Sequence, residues 1–278
     1  MISKMTIARR TMYLFQSDIA DKLLQPWSRE GVVVLHTGRC GSTVISSMLA
    51  QDKQFRVFGE IFNAGVREDR RMNPNKLEFT LKGLKNMAVP RIPVVELKAL
   101  STQDLRDTEH DLPDFLNAAE QSGYSKFILL CRENYLRQVL SFRTAIERQR
   151  YHYSKDEAVP KTSVTIGVES IDAMSSRSSL VEHFRFLDEE YEYIRDLLKD
   201  RNALELTYEN DVEKGPEVAV DKIFEFASVA PAKVQPTLVK SANQTIQDAT
   251  ENWDQVVEAL RGTKYEWMTQ TDSTASSP

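Results

Sequence analysis

The residues with the clearest chemical meaning are His36-Thr37-Gly38-Arg39-Cys40-Gly41-Ser42-Thr43, which follow the apolar run 31–35 and lead into a helical pattern. A turn from strand into helix aims successive backbone N–H groups at one spot, and the helix N-terminus adds partial positive charge. Gly38 and Gly41 permit the backbone such a turn needs, Ser42 and Thr43 add hydroxyl donors, and Arg39 adds a fixed charge. That donor set suits a phosphate-like anion. A triphosphate-binding loop of pattern G-x-x-x-x-G-K-[ST] would place a lysine before its hydroxyl residue and a glycine at the head of the motif. Here Ser42 and His36 stand at those two places, so the loop reads as an anion cradle without the lysine of that class.

A second set of residues lies in LLCRENYLRQVLSFRTA, where Arg132 follows an apolar strand-like run. Arg137 and Ser141 stand four apart, which puts them on one helix face about a turn from each other. HTGRCGST resembles the 5′-phosphosulfate loop of sulfotransferases that use 3′-phosphoadenosine 5′-phosphosulfate (PAPS), with Arg39 in the basic place. The segment from Arg132 to Ser141 is similar to the 3′-phosphate segment of the same family. Gly59, Glu60 and Phe62, the run Arg137-Gln138 to Ser141, and Thr207-Tyr208-Glu209 resemble short motifs of its small bacterial and carbohydrate-type branch. The likeness covers most of the chain from residue 31 to about 268.

The resemblance implies a PAPS site made by Gly38, Arg39, Cys40, Gly41, Ser42 and Thr43 around the 5′-phosphosulfate. It gives the 3′-phosphate to Ser141 with Arg132 or Arg137, Arg132 favoured, and adds Tyr208 and, by position in a closing loop, Lys240. The implied reaction is in-line transfer of a sulfuryl group to a hydroxyl or amine of a small-molecule or glycan acceptor, with no divalent cation. Charge then builds on the leaving phosphate beside Arg39, and Lys98 in VVELKAL is placed to reach the sulfuryl oxygens. The cytosolic branch has a histidine two residues after that lysine as base, but Leu100 stands there. Glu60, at the end of FRVFGE, is therefore the expected general base, with His36 as its competitor and an ion pair to a residue such as Arg67 as its bland alternative. Two other readings remain: a P-loop kinase-like transferase, and an inactive relative that only binds nucleotide.

The elements that must position these residues are legible in the hydropathy pattern. Strands are expected at GVVVLH, FRVFGE, IPVVELKAL, KFILLC and ALELTY, and runs such as Val32-Val33-Val34-Leu35 are apolar on both faces, as in a parallel sheet covered by helices on each side. The expected fold class is thus α/β, a P-loop-like parallel sheet flanked by helices (the sulfotransferase fold), in one domain over 1–268 with a disordered tail at 269–278. Leu180, Phe184, Leu187, Tyr191, Ile194 and Leu198 recur at helical spacing behind a capping box of Ser179 and Glu182. A further helix is expected to include 7–24. The polar stretch 151–179, with Pro160 and Gly167, reads as an insertion or lid that shapes the acceptor pocket.

Composition narrows the partners. With 278 residues, 41% hydrophobic, 28% charged and a net charge of −5, the chain can bury a large core but offers no broad basic surface for nucleic acid. No apolar run approaches the roughly 20 residues needed to cross a bilayer, and the expectation is a cytoplasmic protein without a membrane span. Cys40 and Cys131 lack partners at metal-ligand spacing and read as buried small hydrophobes, while Trp253 and Trp267 read as core anchors.

Overall fold

Three consecutive β-branched residues and a leucine leave no polar face, and the strand they form, β1 (Gly31–His36), is buried along its whole length at the centre of the sheet. The computed structural model of the chain describes residues 18–62, 76–173, 176–239 and 244–270. Four further strands, β2 (Phe55–Glu60), β3 (Ile92–Lys98), β4 (Tyr124–Cys131) and β5 (Ala203–Thr207), pair in the order β2-β3-β1-β4-β5, all parallel. The expected α/β class and all five expected strands are present.

Alternating residues of each strand feed two separate cores. Val33, Leu35, Val95, Leu97, Phe127 and Leu129 pack on one face beneath α3 (Leu77–Ala88), α4 (Leu112–Gln121), α5 (Tyr135–Glu147), α6 (Leu180–Leu198) and α8 (Trp253–Leu260). Val32, Val34, Val94, Ile128, Leu130 and Leu206 pack on the other beneath α2 (Ser42–Leu49) and α7 (Glu217–Phe226). In α6 all six apolar residues named from the sequence are buried, and the Ser179–Glu182 capping box forms in both directions.

The topology fixes where a ligand would sit. From the end of β1 the chain turns into α2 on one face, and from the end of β4, its neighbour, it turns into α5 on the other. Such a divergence opens a crevice at the carboxyl ends of an open parallel sheet. Arg39 lies in the first of these turns and Arg132 directly after the second strand.

The N-terminal helix is described as α1 (Asp18–Leu24), and the rest of the expected span, 7–17, lies outside the described residues. Thr269 closes a 3-10 turn (Glu266–Thr269), so the expected tail overlaps folded structure at its start, and 271–278 lie outside the described residues. Trp253 packs against the larger core, but Trp267 is 45% exposed and is no core anchor. Its neighbour Met268 points inward instead. Cys40 and Cys131 are both buried free thiols, and burial pushes the pKa of each upward. No helix among the described residues is long and apolar enough to cross a membrane.

Candidate functional site

Three left-handed residues, Gly38 (φ 87°), Arg39 (φ 57°) and Gly41 (φ 89°), shape the turn between β1 and α2. A non-glycine residue held at positive φ costs energy and persists where its surroundings fix it. The side chain of Arg39 is fixed by Nε donating to Ser141 Oγ (3.0 Å) and an Nη1 contact to the Tyr151 carbonyl (3.3 Å). Gly41 is constrained twice, because a methyl there would stand 2.8 Å from Val212 Cγ1 and 3.3 Å from Tyr208 Cδ2 as well as at left-handed φ. It caps α2 with no side-chain hydrogen bond, which leaves the helix N-terminus to a ligand. Gly41→Ala is expected to lower unfolding free energy by about 1–3 kcal/mol, an overpacking cost, in a denaturant titration. Unchanged stability would show that the loop relaxes freely.

Gln138, which the sequence reading placed only inside a motif, holds the turn from below. Fully buried on α5, its amide donates to Thr37 Oγ1 (2.7 Å) and to the Gly38 carbonyl (2.6 Å). Thr37 Oγ1 also meets Tyr191 O–H of α6 at 2.8 Å, and Gln103 Nε2 donates to the Thr37 carbonyl (2.9 Å). His36 lies under the same turn and is 0% exposed. Its Nδ1 accepts the Gly38 N–H at 3.0 Å, so in the neutral ring the proton sits on Nε2, which lies 3.5 Å from Glu96 Oε2 and 3.9 Å from Glu60 Oε1. Both nitrogens are buried, and Nδ1 of His36 supports the loop through the Gly38 N–H.

On the β4 side, Arg132 is only 7% exposed, stacks its guanidinium 4.2 Å above the Tyr208 ring, and donates Nη1 to the Arg39 carbonyl (2.8 Å). Its Nε makes no hydrogen bond, and Glu209 Oε1 lies 3.8 Å from it. Glu209 accepts the N–H groups of Glu133 (2.9 Å) and Asn134 (3.1 Å), tying the start of α5 to the end of β5. Burial, then the charge of Arg132, pulls the pKa of Arg39 below the usual arginine range. Two like charges thus share one wall, an arrangement that a bound anion would relieve.

These side chains line a cavity of about 240 Å³ that includes Arg39, Ser42, Thr43, Arg132, Ser141 and Tyr208. Arg137 is not on its wall. Its Nη1 lies 3.8 Å from Oε1 of Glu213, a residue that does line the cavity. Lys240 lies outside the described residues.

A second cavity of about 640 Å³ adjoins the first across the turn, lined by Glu60, Lys98, Phe62, Asp104, Asp107 and Phe142 among others. Glu60 and Lys98 reach it from the ends of β2 and β3, where Glu60 is in register with Glu96 and Lys98 with His36. Lys98 Nζ meets Glu60 Oε2 at 2.8 Å, with both side chains about a quarter exposed. Arg67, the partner considered from the sequence, lies outside the described residues. Glu96, 4% exposed, accepts Ser46 O–H from α2 at 2.6 Å. A glutamate inside the otherwise apolar strand VVELK is the sequence signal for this buried acid. Asp104 accepts the Lys98 N–H (3.0 Å), and burial raises its pKa.

Arg39, Ser42, Thr43, Tyr151 and His152 line both cavities, so the two are lobes of one cleft that meet at the turn. Tyr151 and His152 were not singled out from the sequence. Beyond them the stretch 151–179 is bound elsewhere: Tyr153–Ser154 pair antiparallel with Leu238–Val239, and Val164, Ile166 and Ile171 enter the core. No group of three or more His, Cys, Asp or Glu side chains among the described residues could hold a metal ion. Compared with known proteins, the chain matches no family model and no curated sequence.

Proposed function

We propose that the chain is a PAPS-dependent sulfotransferase acting on a hydroxyl or amine of a small-molecule or glycan acceptor. The observation that carries this reading is the two-lobed cleft, with paired arginines in one lobe, a carboxylate–lysine pair in the other, and Arg39 common to both. The guanidinium of Arg132, in the wall of the first lobe beside Ser141 and Tyr208, suits an anionic group there. When bound, PAPS supplies a sulfuryl group: the acceptor oxygen or nitrogen gains a bond to sulfur, the bridging S–O electron pair leaves with the phosphate, and the acceptor proton passes to a base.

In this reading Ser42, Thr43 and the N-terminus of α2 bind the 5′ side, and Arg132, Ser141 and Tyr208 bind the 3′-phosphate side. Arg39 stabilises charge growing between the lobes, and Lys98 supplies positive charge from the acceptor lobe. Glu60 accepts the proton. Its contact with Lys98 Nζ at 2.8 Å orients the carboxylate in the second lobe.

Adenosine 3′,5′-bisphosphate is expected to bind without added Mg²⁺ in calorimetry, because the protein itself supplies the positive charges. Mg²⁺-dependent binding of ATP with no binding of the bisphosphate would replace this reading with a kinase-like one. Incubation with PAPS and a metabolite panel, read by mass spectrometry for sulfate-sized gains, tests transfer and acceptor together. Nucleotide binding with transfer to no acceptor would favour the inactive relative.

A further inference from the structure

The five residues common to both lobes mark where a group crossing from one to the other must pass. Arg39, Ser42 and Thr43 belong to the turn that binds the anion, and Tyr151 turns its carbonyl to Arg39. His152 is the fifth, and it alone of these can exchange a neutral for a charged state near neutral pH. Its place is fixed from both sides in sequence. Tyr151 is held by Arg39, and buried Tyr153 is held by the strand pair with Leu238–Val239. The His152 carbonyl is further held by Arg150 Nε at 3.0 Å.

We propose that His152 contacts the transferred sulfuryl group, hydrogen-bonding its oxygens at the junction of the two lobes, beside the charges of Arg39 from the turn and Lys98 from the end of β3. This inference rests on the sulfotransferase reading. The charged groups around the ring are Arg39 from the turn, Glu60 from the end of β2 and Lys98 from the end of β3. Partial burial of the ring, then Arg39, pulls the imidazole pKa below its usual value, with Lys98 acting the same way and Glu60 opposing, while the residue as a whole keeps an exposed surface. The ring therefore starts neutral at neutral pH, and an anion placed against it raises its pKa. The protonated form then binds the anion more tightly. Binding takes up a proton between the two pKa values, and affinity rises as pH falls through the bound-state pKa, levelling below the free-state one.

The test is a proton NMR titration of the histidine ring signals in the wild-type protein, with His152 assigned by the signal lost in His152→Asn. It is run free, with saturating adenosine 3′,5′-bisphosphate, and with saturating PAPS. PAPS is expected to raise the His152 pKa by about one unit, a roughly tenfold preference for the protonated form, and the bisphosphate, which lacks the sulfuryl group, by clearly less. Calorimetry of His152→Asn should show PAPS affinity losing that tenfold gain at low pH. PAPS binding that leaves the His152 pKa unmoved, or equal shifts from both ligands, would overturn the contact. Absence of PAPS binding to the wild type at every pH would instead remove the sulfotransferase reading, and this inference with it.

Discussion

Arg39→Ala is expected to cut turnover by about 10²–10³-fold, the loss typical of one transition-state donor. It should weaken bisphosphate binding by only about tenfold, or about 1.4 kcal/mol. The difference follows from position: Arg39 is the arginine that lines both lobes, where charge on the bridging oxygen grows as the S–O bond breaks. The backbone there is already left-handed, so alanine removes the charge without adding a new conformational demand. Arg132→Ala should show the reverse. Its guanidinium lines only the first lobe, stacked on Tyr208, and its loss should reach binding of the nucleotide before it reaches the chemistry at saturation. Because Arg132 also holds the Arg39 carbonyl, Arg132→Lys with a thermal melt separates lost affinity from a loosened turn. Steady-state kinetics and calorimetry on the pair decide the matter, and equal ratios of lost turnover to lost affinity would refute this division of roles.

Glu60→Gln is expected to remove about 10²–10⁴-fold of the transfer rate, the usual worth of a positioned general base. Glutamine keeps the shape and can still accept from Lys98 Nζ, so nucleotide affinity should hold nearly constant. The rate profile against pH should lose its acid limb along with the rate. His36→Asn is the informative contrast, since buried His36 supports the turn through Gly38, and its loss should lower folding stability while leaving the shape of the pH profile intact. Near-normal turnover of Glu60→Gln across the pH range would eliminate it as the base and move the role to His36 or to the acceptor itself.

Much of this architecture is determined within a few residues of sequence. The run Val32-Val33-Val34-Leu35 is apolar on both faces and must be buried on both, and the alternation of Val32 and Val34 against Val33 and Leu35 divides the two cores. Ser179 and Glu182 mark the start of α6 because a capping box closes within one turn of helix. The donor set of the turn from His36 to Thr43 is equally local, with two glycines, the hydroxyls of Ser42 and Thr43 and an arginine within eight residues. Tertiary structure decided everything that joins distant parts of the chain. Arg132 and Arg137 both stood as candidates in the sequence, with Arg132 favoured, and the fold sets Arg132 in the wall of the first lobe and Arg137 beside Glu213. His36 and Lys98, each at a strand end, are separated in fate by their depth: the turn covers His36, while Lys98 reaches past Gly38 to Glu60. Tyr151 and His152 carry no motif, and the antiparallel pairing of 153–154 with 238–239 brings them to the junction of the lobes. Side-chain type and spacing act over a turn or a strand, whereas register and crossover choose partners from residues a hundred apart, which no local pattern encodes.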